Sequence, residues 1–150
     1  MPFEVIHFRE SEKILKEKRL VKDVKETLEY IDDALYGSIY RRELLRQALD
    51  EMNWRENGSL NIIDGRRYQY KGFKMGVALE CDSFASFEYL WSGLLRPQVG
   101  FDKGLIETGI FMLTAARIEK SSYGSSRDLA GAEIEFLYPT ISLPCSIALF

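Results

Sequence analysis

The chain has 150 residues, 46% of them hydrophobic and 29% charged, with a formal net charge of −3. That is the size of one ordinary domain with apolar material for a real core, so neither a disordered chain nor a miniprotein stapled by disulfides or metal fits it. The mild negative charge argues against a protein that coats nucleic acid non-specifically, and leaves room for a local basic face.

Two cysteines without framework spacing, Cys81 and Cys145, and an opening Met1-Pro2-Phe3-Glu4 unlike a signal peptide lead to the expectation of a reducing, cytoplasmic setting. No apolar run approaches membrane-spanning length, so no membrane partner is expected. The one histidine, His7, stands too near the N-terminus to anchor a Ser-His-Asp triad or an HExxH zinc site, and is expected to be a surface or capping residue.

In chain order, Glu10 to Tyr36 reads as one long amphipathic helix. Val21, Val24, Leu28, Ile31 and Leu35 recur at spacings of 3 and 4, with Lys22, Lys25, Glu26 and Glu29 on the opposite face. Ser11 is a candidate N-cap and Gly37 a candidate stop. A second helix is predicted from Ser38 to Asn53 with Ile39, Leu45, Ala48, Leu49 and Met52 inward. The period then changes. Leu60 to Ile63 is strand-like, Tyr68 to Phe73 alternates weakly, and Met75 to Leu79 is an apolar run suited to a strand covered on both faces, ending in Glu80-Cys81-Asp82. A helix is predicted from Ser86 to Pro97, a strand over Thr108 to Leu113 after Gly104, a polar loop over Ser121 to Gly131, a short strand or helix end over Glu133 to Leu137, and a last strand over Leu143 to Phe150. There are no repeats and no linker, which predicts a single α/β (α+β) domain over 1–150 with a mixed sheet.

The chemistry-bearing feature is Asp64 in a turn, followed sixteen positions later by Glu80-Cys81-Asp82. Strand alternation sends Glu80 and Asp82 to one face and Cys81 to the other. Carboxylates gathered there repel unless a cation lies between them, and a hard divalent ion takes such oxygens while keeping several waters. The bland readings are a common Asp-Gly turn at Asp64-Gly65 and a solvated acidic strand end. Arg41, Arg42 and Arg46 on the second helix and Arg66-Arg67 just past Asp64 read either as phosphate contacts or as solvated surface. Phe84, Phe87, Tyr89 and Trp91 could stack on bases, but their helical spacing favours core packing. Phosphate-cradling glycine loops are absent.

The stretches Val77-Ala78-Leu79-Glu80-Cys81-Asp82, Glu88-Tyr89-Leu90-Trp91 and Gly104-Leu105-Ile106-Glu107-Thr108-Gly109-Ile110-Phe111 resemble the PD-(D/E)XK nuclease superfamily in its BglII/BstYI-like restriction-endonuclease branch. The resemblance implies a restriction-endonuclease-like three-layer core, with a mixed central sheet flanked by helices and long N-terminal helices. It implies a metal-dependent endonuclease that hydrolyses double-stranded DNA with Mg²⁺ (Mn²⁺ substituting), acting as a homodimer. By position, Asp64 and Glu80 would hold the metal, and Asp82 would orient water or complete the shell. Asp82 stands where most of the superfamily has lysine and this branch has Glu or Gln; Lys71, Lys74 or Lys103 could supply a displaced positive charge near the phosphate. Arg66, Arg67 and Lys103 are the implied nucleic-acid contacts. The alternative is a non-catalytic DNA- or protein-binding module on the same scaffold, favoured by Asp82 and by the negative net charge.

Overall fold

Residues 3–35, 41–55, 69–81, 88–113 and 126–150 are described by the structure, a computed structural model. Val77–Cys81 (β3), Thr108–Leu113 (β4) and Cys145–Leu149 (β5) are buried at every position. Strands covered on both faces belong in the middle of a parallel sheet, and β3 pairs in parallel with β4 and β4 with β5. Two antiparallel strands flank them: Glu4–Phe8 (β1) on β5 and Gly72–Lys74 (β2) on β3. The order is β1-β5-β4-β3-β2, a mixed sheet of five strands.

Helices cover both faces. Ser11–Glu17 (α1), Val21–Leu35 (α2) and Arg42–Glu51 (α3) precede β2; Glu88–Asp102 (α4) joins β3 to β4, and Ser126–Phe136 (α5) lies between β4 and β5. On one face Leu15, Leu28, Ile31, Leu49 and Trp54 pack against Val77, Leu79, Cys81 and Met112. On the other, Leu90, Leu94, Ala130 and Ile134 pack against Ala78, Phe111 and Ile147. Each fully buried leucine or isoleucine contributes about 1.5–3 kcal/mol, so these two cores hold the three layers together.

The predicted long N-terminal helix is two. Arg19 adopts φ 59°, its N–H bonds the Lys16 carbonyl, and the Leu20 N–H reaches back to the Leu15 carbonyl. That is a Schellman stop, sealed by the buried pair Leu15 and Leu20. A residue other than glycine in the left-handed position concealed it from a reading that looks for glycine. The same motif ends α3 at Asn53 (φ 64°) and α4 at Gly104 (φ 73°). Helix α4 therefore runs five residues beyond the predicted end at Pro97, which sits inside it.

Other boundaries moved as well. Val21, assigned to the α2 stripe, is 44% exposed, whereas Val24, Leu28, Ile31 and Leu35 are buried. The N-cap of α1 is Glu10 rather than Ser11, whose hydroxyl is engaged in the interior. The run from Met75 begins as a turn: Met75 (φ 50°) and Gly76 (φ 81°) are the two loop residues of the β2–β3 hairpin, the conformation that right-handed strand twist favours. Residues 126–131, expected as loop, and Glu133–Phe136 all belong to α5. Strand β1 had no counterpart in the sequence reading. The predicted strand at Leu60 to Ile63, the stop at Gly37, Ile39 of the second helix, the aromatics Phe84 and Phe87, and residues 121–125 of the predicted loop lie outside the described residues.

Candidate active site

Glu80 is the next-to-last residue of β3 and is completely buried. Alternation puts it on the Ala78 face of the sheet, under α4, with Cys81 in the opposite core. From α4, Arg96 donates from Nη1 to Glu80 Oε2 at 3.3 Å, a long contact from a guanidinium that is itself 43% exposed. Glu80 Oε1 has no hydrogen-bond partner among the described residues. From the hairpin side, Gly72 pairs with Leu79, which brings Lys71 alongside Glu80 one step further on. Burial pushes the Glu80 carboxyl up to about 7, against the pull of the Arg96 and Lys71 cations and the Lys71 backbone N–H.

Tyr70 adds a second orphan. Its ring is buried and its hydroxyl has no partner among the described residues. Burial, and then the negative charge of Glu80, push the phenol up to about 12. Gly100 makes this position possible, since a Cβ there would lie 1.9 Å from the Tyr70 hydroxyl oxygen. Helix α4 is held over the site by Gln98, buried and fully used. Its Oε1 accepts from the Ser142 and Leu143 backbone at 2.7 and 2.9 Å, and its Nε2 donates to Asp102 and Ser142 side chains at 2.9 and 3.1 Å.

A buried carboxylate with one unpaired oxygen is costly to ionise and fits one ligand position of a hard divalent cation, whose charge would offset the desolvation. No group of three His, Cys, Asp or Glu that could hold a metal exists among the described residues. Asp64, Asp82, Arg66 and Arg67 lie outside them. Of the lysines named as displaced charges, Lys71 acts on Glu80. Lys74 instead binds Asp23 Oδ2 at 2.7 Å and lies over the Trp54 ring. Lys103 is exposed in the turn that leads into β4, at the end of the sheet where Val77 pairs with Thr108, away from Glu80. The sequence reading missed Arg96; its only signal was one cation in the otherwise apolar Leu94-Leu95-Arg96-Pro97 stretch of a helix that follows an acidic strand end.

A separate polar chain crosses the far side of the sheet. The Thr108 hydroxyl donates to the Pro144 carbonyl at 2.8 Å, so it accepts from Ser11 at 2.7 Å. With its own proton committed, Ser11 accepts from Ser146 at 2.7 Å, and Ser146 in turn from His7 Nδ1 at 2.8 Å. His7 is thus a surface residue that donates to a buried serine rather than taking its proton, which is the wrong polarity for a nucleophilic serine.

No family model matches the chain, and no curated protein does. Among solved structures, it is similar to the crystal structure of restriction endonuclease BglII complexed with a DNA 16-mer, with a TM-score of 0.68 at 15% identity, covering 99% of this chain and 76% of that one. The chain has a restriction-endonuclease-like fold, a mixed five-stranded sheet between helices. No helix among the described residues is long and apolar enough to cross a membrane.

Proposed function

We propose that the chain is a divalent-metal-dependent endonuclease acting on double-stranded DNA, with Glu80 as a ligand of Mg²⁺ or Mn²⁺. The observation that carries this is Glu80 itself. On a restriction-endonuclease-like sheet it is a buried carboxyl with one oxygen that has no partner among the described residues, flanked by two cations. Asp64 and Asp82 complete the acidic set in this reading. Arg66, Arg67 and Lys103 contact phosphates, and two copies of the chain cut the two strands in the cytoplasm. A bound ion would supply polarisation of a phosphoryl oxygen and acidification of a water. Glu80 gives up its proton to bind the ion. Arg96 and Lys71 hold the carboxylate in orientation, and the apolar packing of Ala78, Leu90 and Leu94 around α4 limits competing water.

One observation favours the second reading, a binding module that keeps the fold without the chemistry. Arg96 already pairs with Glu80 Oε2, as it would in a site that needs no metal. Cleavage of supercoiled plasmid separates the two. The enzyme reading expects nicking with Mg²⁺ or Mn²⁺ that falls by orders of magnitude in Glu80→Ala and Asp64→Ala. A wild type that binds DNA but leaves it intact with every divalent ion refutes the nuclease and leaves the binder.

A further inference from the structure

Most of the cations on the α1–α2 surface are neutralised in place. Lys16 pairs with Glu12 at 3.2 Å, Lys22 with Glu26 at 3.8 Å and Lys25 with Glu29 at 4.0 Å, each one helical turn away. Helix α3 differs. Arg42 and Arg46 are exposed one turn apart, and neither has a salt bridge among the described residues. Arg46 acts as a like charge on Arg55, opposed only in part by Asp50. Arg55 is held just past the α3 stop: it forms a bridge to Phe73 at the outer edge of β2, and its Nη1 donates to the Lys71 carbonyl at 2.7 Å. Lys71 in turn lies beside Glu80. Cations thus follow one another from an exposed helix, over the edge of the sheet, to the buried carboxyl. Glu43 and Asp50 lie on the same helix, yet neither forms a salt bridge with Arg42 or Arg46 among the described residues, and like charges set in a row are destabilising unless an anion lies along them.

We infer that Arg42, Arg46, Arg55 and Lys71 form a track for the sugar-phosphate backbone of duplex DNA, leading from α3 over the β2 edge to Glu80. A single phosphate would satisfy only one or two of these groups, whereas a polyanion meets each with a separate phosphate. The β2 edge is suited to the crossing. Strand β2 is three residues long, and the Trp54 carbonyl accepts from Phe73 N–H at 2.6 Å beyond it, so the edge offers the backbone little to pair with and presents charge instead. The inference rests on the nuclease reading only for what lies at the end of the track; the track itself needs DNA binding alone.

The test is fluorescence anisotropy of a labelled DNA duplex with Ca²⁺ over a series of salt concentrations, comparing wild type, the double variant R42Q/R46Q and the control K22Q/K25Q. Both pairs are exposed on helices, and glutamine keeps helix propensity. Losing two phosphate contacts should make the slope of log K against log salt shallower by about 2 in R42Q/R46Q, with K22Q/K25Q unchanged. An R42Q/R46Q slope equal to that of wild type, an equal loss in the control, or a wild type that binds no duplex at any salt overturns the track. Plasmid cleavage separates this from the nuclease reading. Cleavage with an unchanged slope refutes the track alone, and a changed slope without cleavage refutes the nuclease alone.

Discussion

Replacing Glu80 with glutamine keeps the shape of the side chain and removes its titration. In the folded protein the carboxyl titrates at about 7 instead of its ordinary 4.5. The folded state therefore holds a proton that the unfolded chain releases between those values, and stability must fall as pH rises from 4.5 through 7. At 1.36 kcal/mol per unit, the full penalty above pH 7 is about 3 kcal/mol. Because Glu80 is completely buried, solvent screening does not reduce this much. The glutamine NH₂ would face the dry space now occupied by Oε1 and cost about 1 kcal/mol at every pH, so the informative quantity is the change with pH. Urea unfolding of wild type and Glu80→Gln, with chelator present, should show the variant gaining about 2 kcal/mol on wild type between pH 5 and pH 8, the remainder of the penalty being already in place at pH 5. Parallel stability curves across that range would mean that Glu80 is ionised at ordinary cost, and the reasoning about a dry, orphaned carboxyl would be wrong.

Gly93→Ala tests the packing that holds α4 on the sheet. The new Cβ would meet Phe111 ring carbons at 2.0 and 2.7 Å, so despite a helix-propensity gain of about 1 kcal/mol a net loss of about 1–3 kcal/mol is expected; a raised melting temperature contradicts it. His7 should be the Nδ1–H tautomer when neutral, with its pKa below the ordinary 6.5, chiefly through desolvation and with Glu12 and Lys16 acting in opposite directions. Its contribution to stability is then present above 6.5 and lost as pH falls below it, opposite in sign to that of Glu80; ¹⁵N shifts of the ring report tautomer and titration together, and an Nε2–H form would break the deduced hydroxyl chain.

The sheet centre was legible because its signal is local. Thr108–Leu113 and the apolar run into Glu80 have the length and aliphatic composition of strands, and both are buried at every position; the acidic end of β3 marks itself by placing a charge where the pattern requires an apolar residue. The α2 stripe was legible for the same reason. What was not legible depends on residues far apart in sequence. Strand β1 is defined by its pairing with β5, from Glu4 with Leu149 to Phe8 with Cys145, and its own five residues alternate too weakly to announce it. Pro97 looked like a helix stop because the sequence does not show that α4 continues to a glycine able to adopt φ 73° at position 104. Arg96 became a site residue only once α4 lay across β3. Lys74 and Arg55, similar in sequence terms, were sorted by tertiary contacts: one is committed to Asp23, the other to the Lys71 carbonyl.

Whether Glu80 anchors a metal site is tested most directly by Mn²⁺ affinity at pH 6 and pH 8, measured by electron paramagnetic resonance for wild type and Glu80→Gln. A carboxyl titrating at about 7 must lose its proton to bind the ion, so wild-type affinity should rise about tenfold from pH 6 to pH 8, while the variant should bind far more weakly without that rise. Equal Mn²⁺ binding by the two proteins, or none by wild type at either pH, would contradict the account.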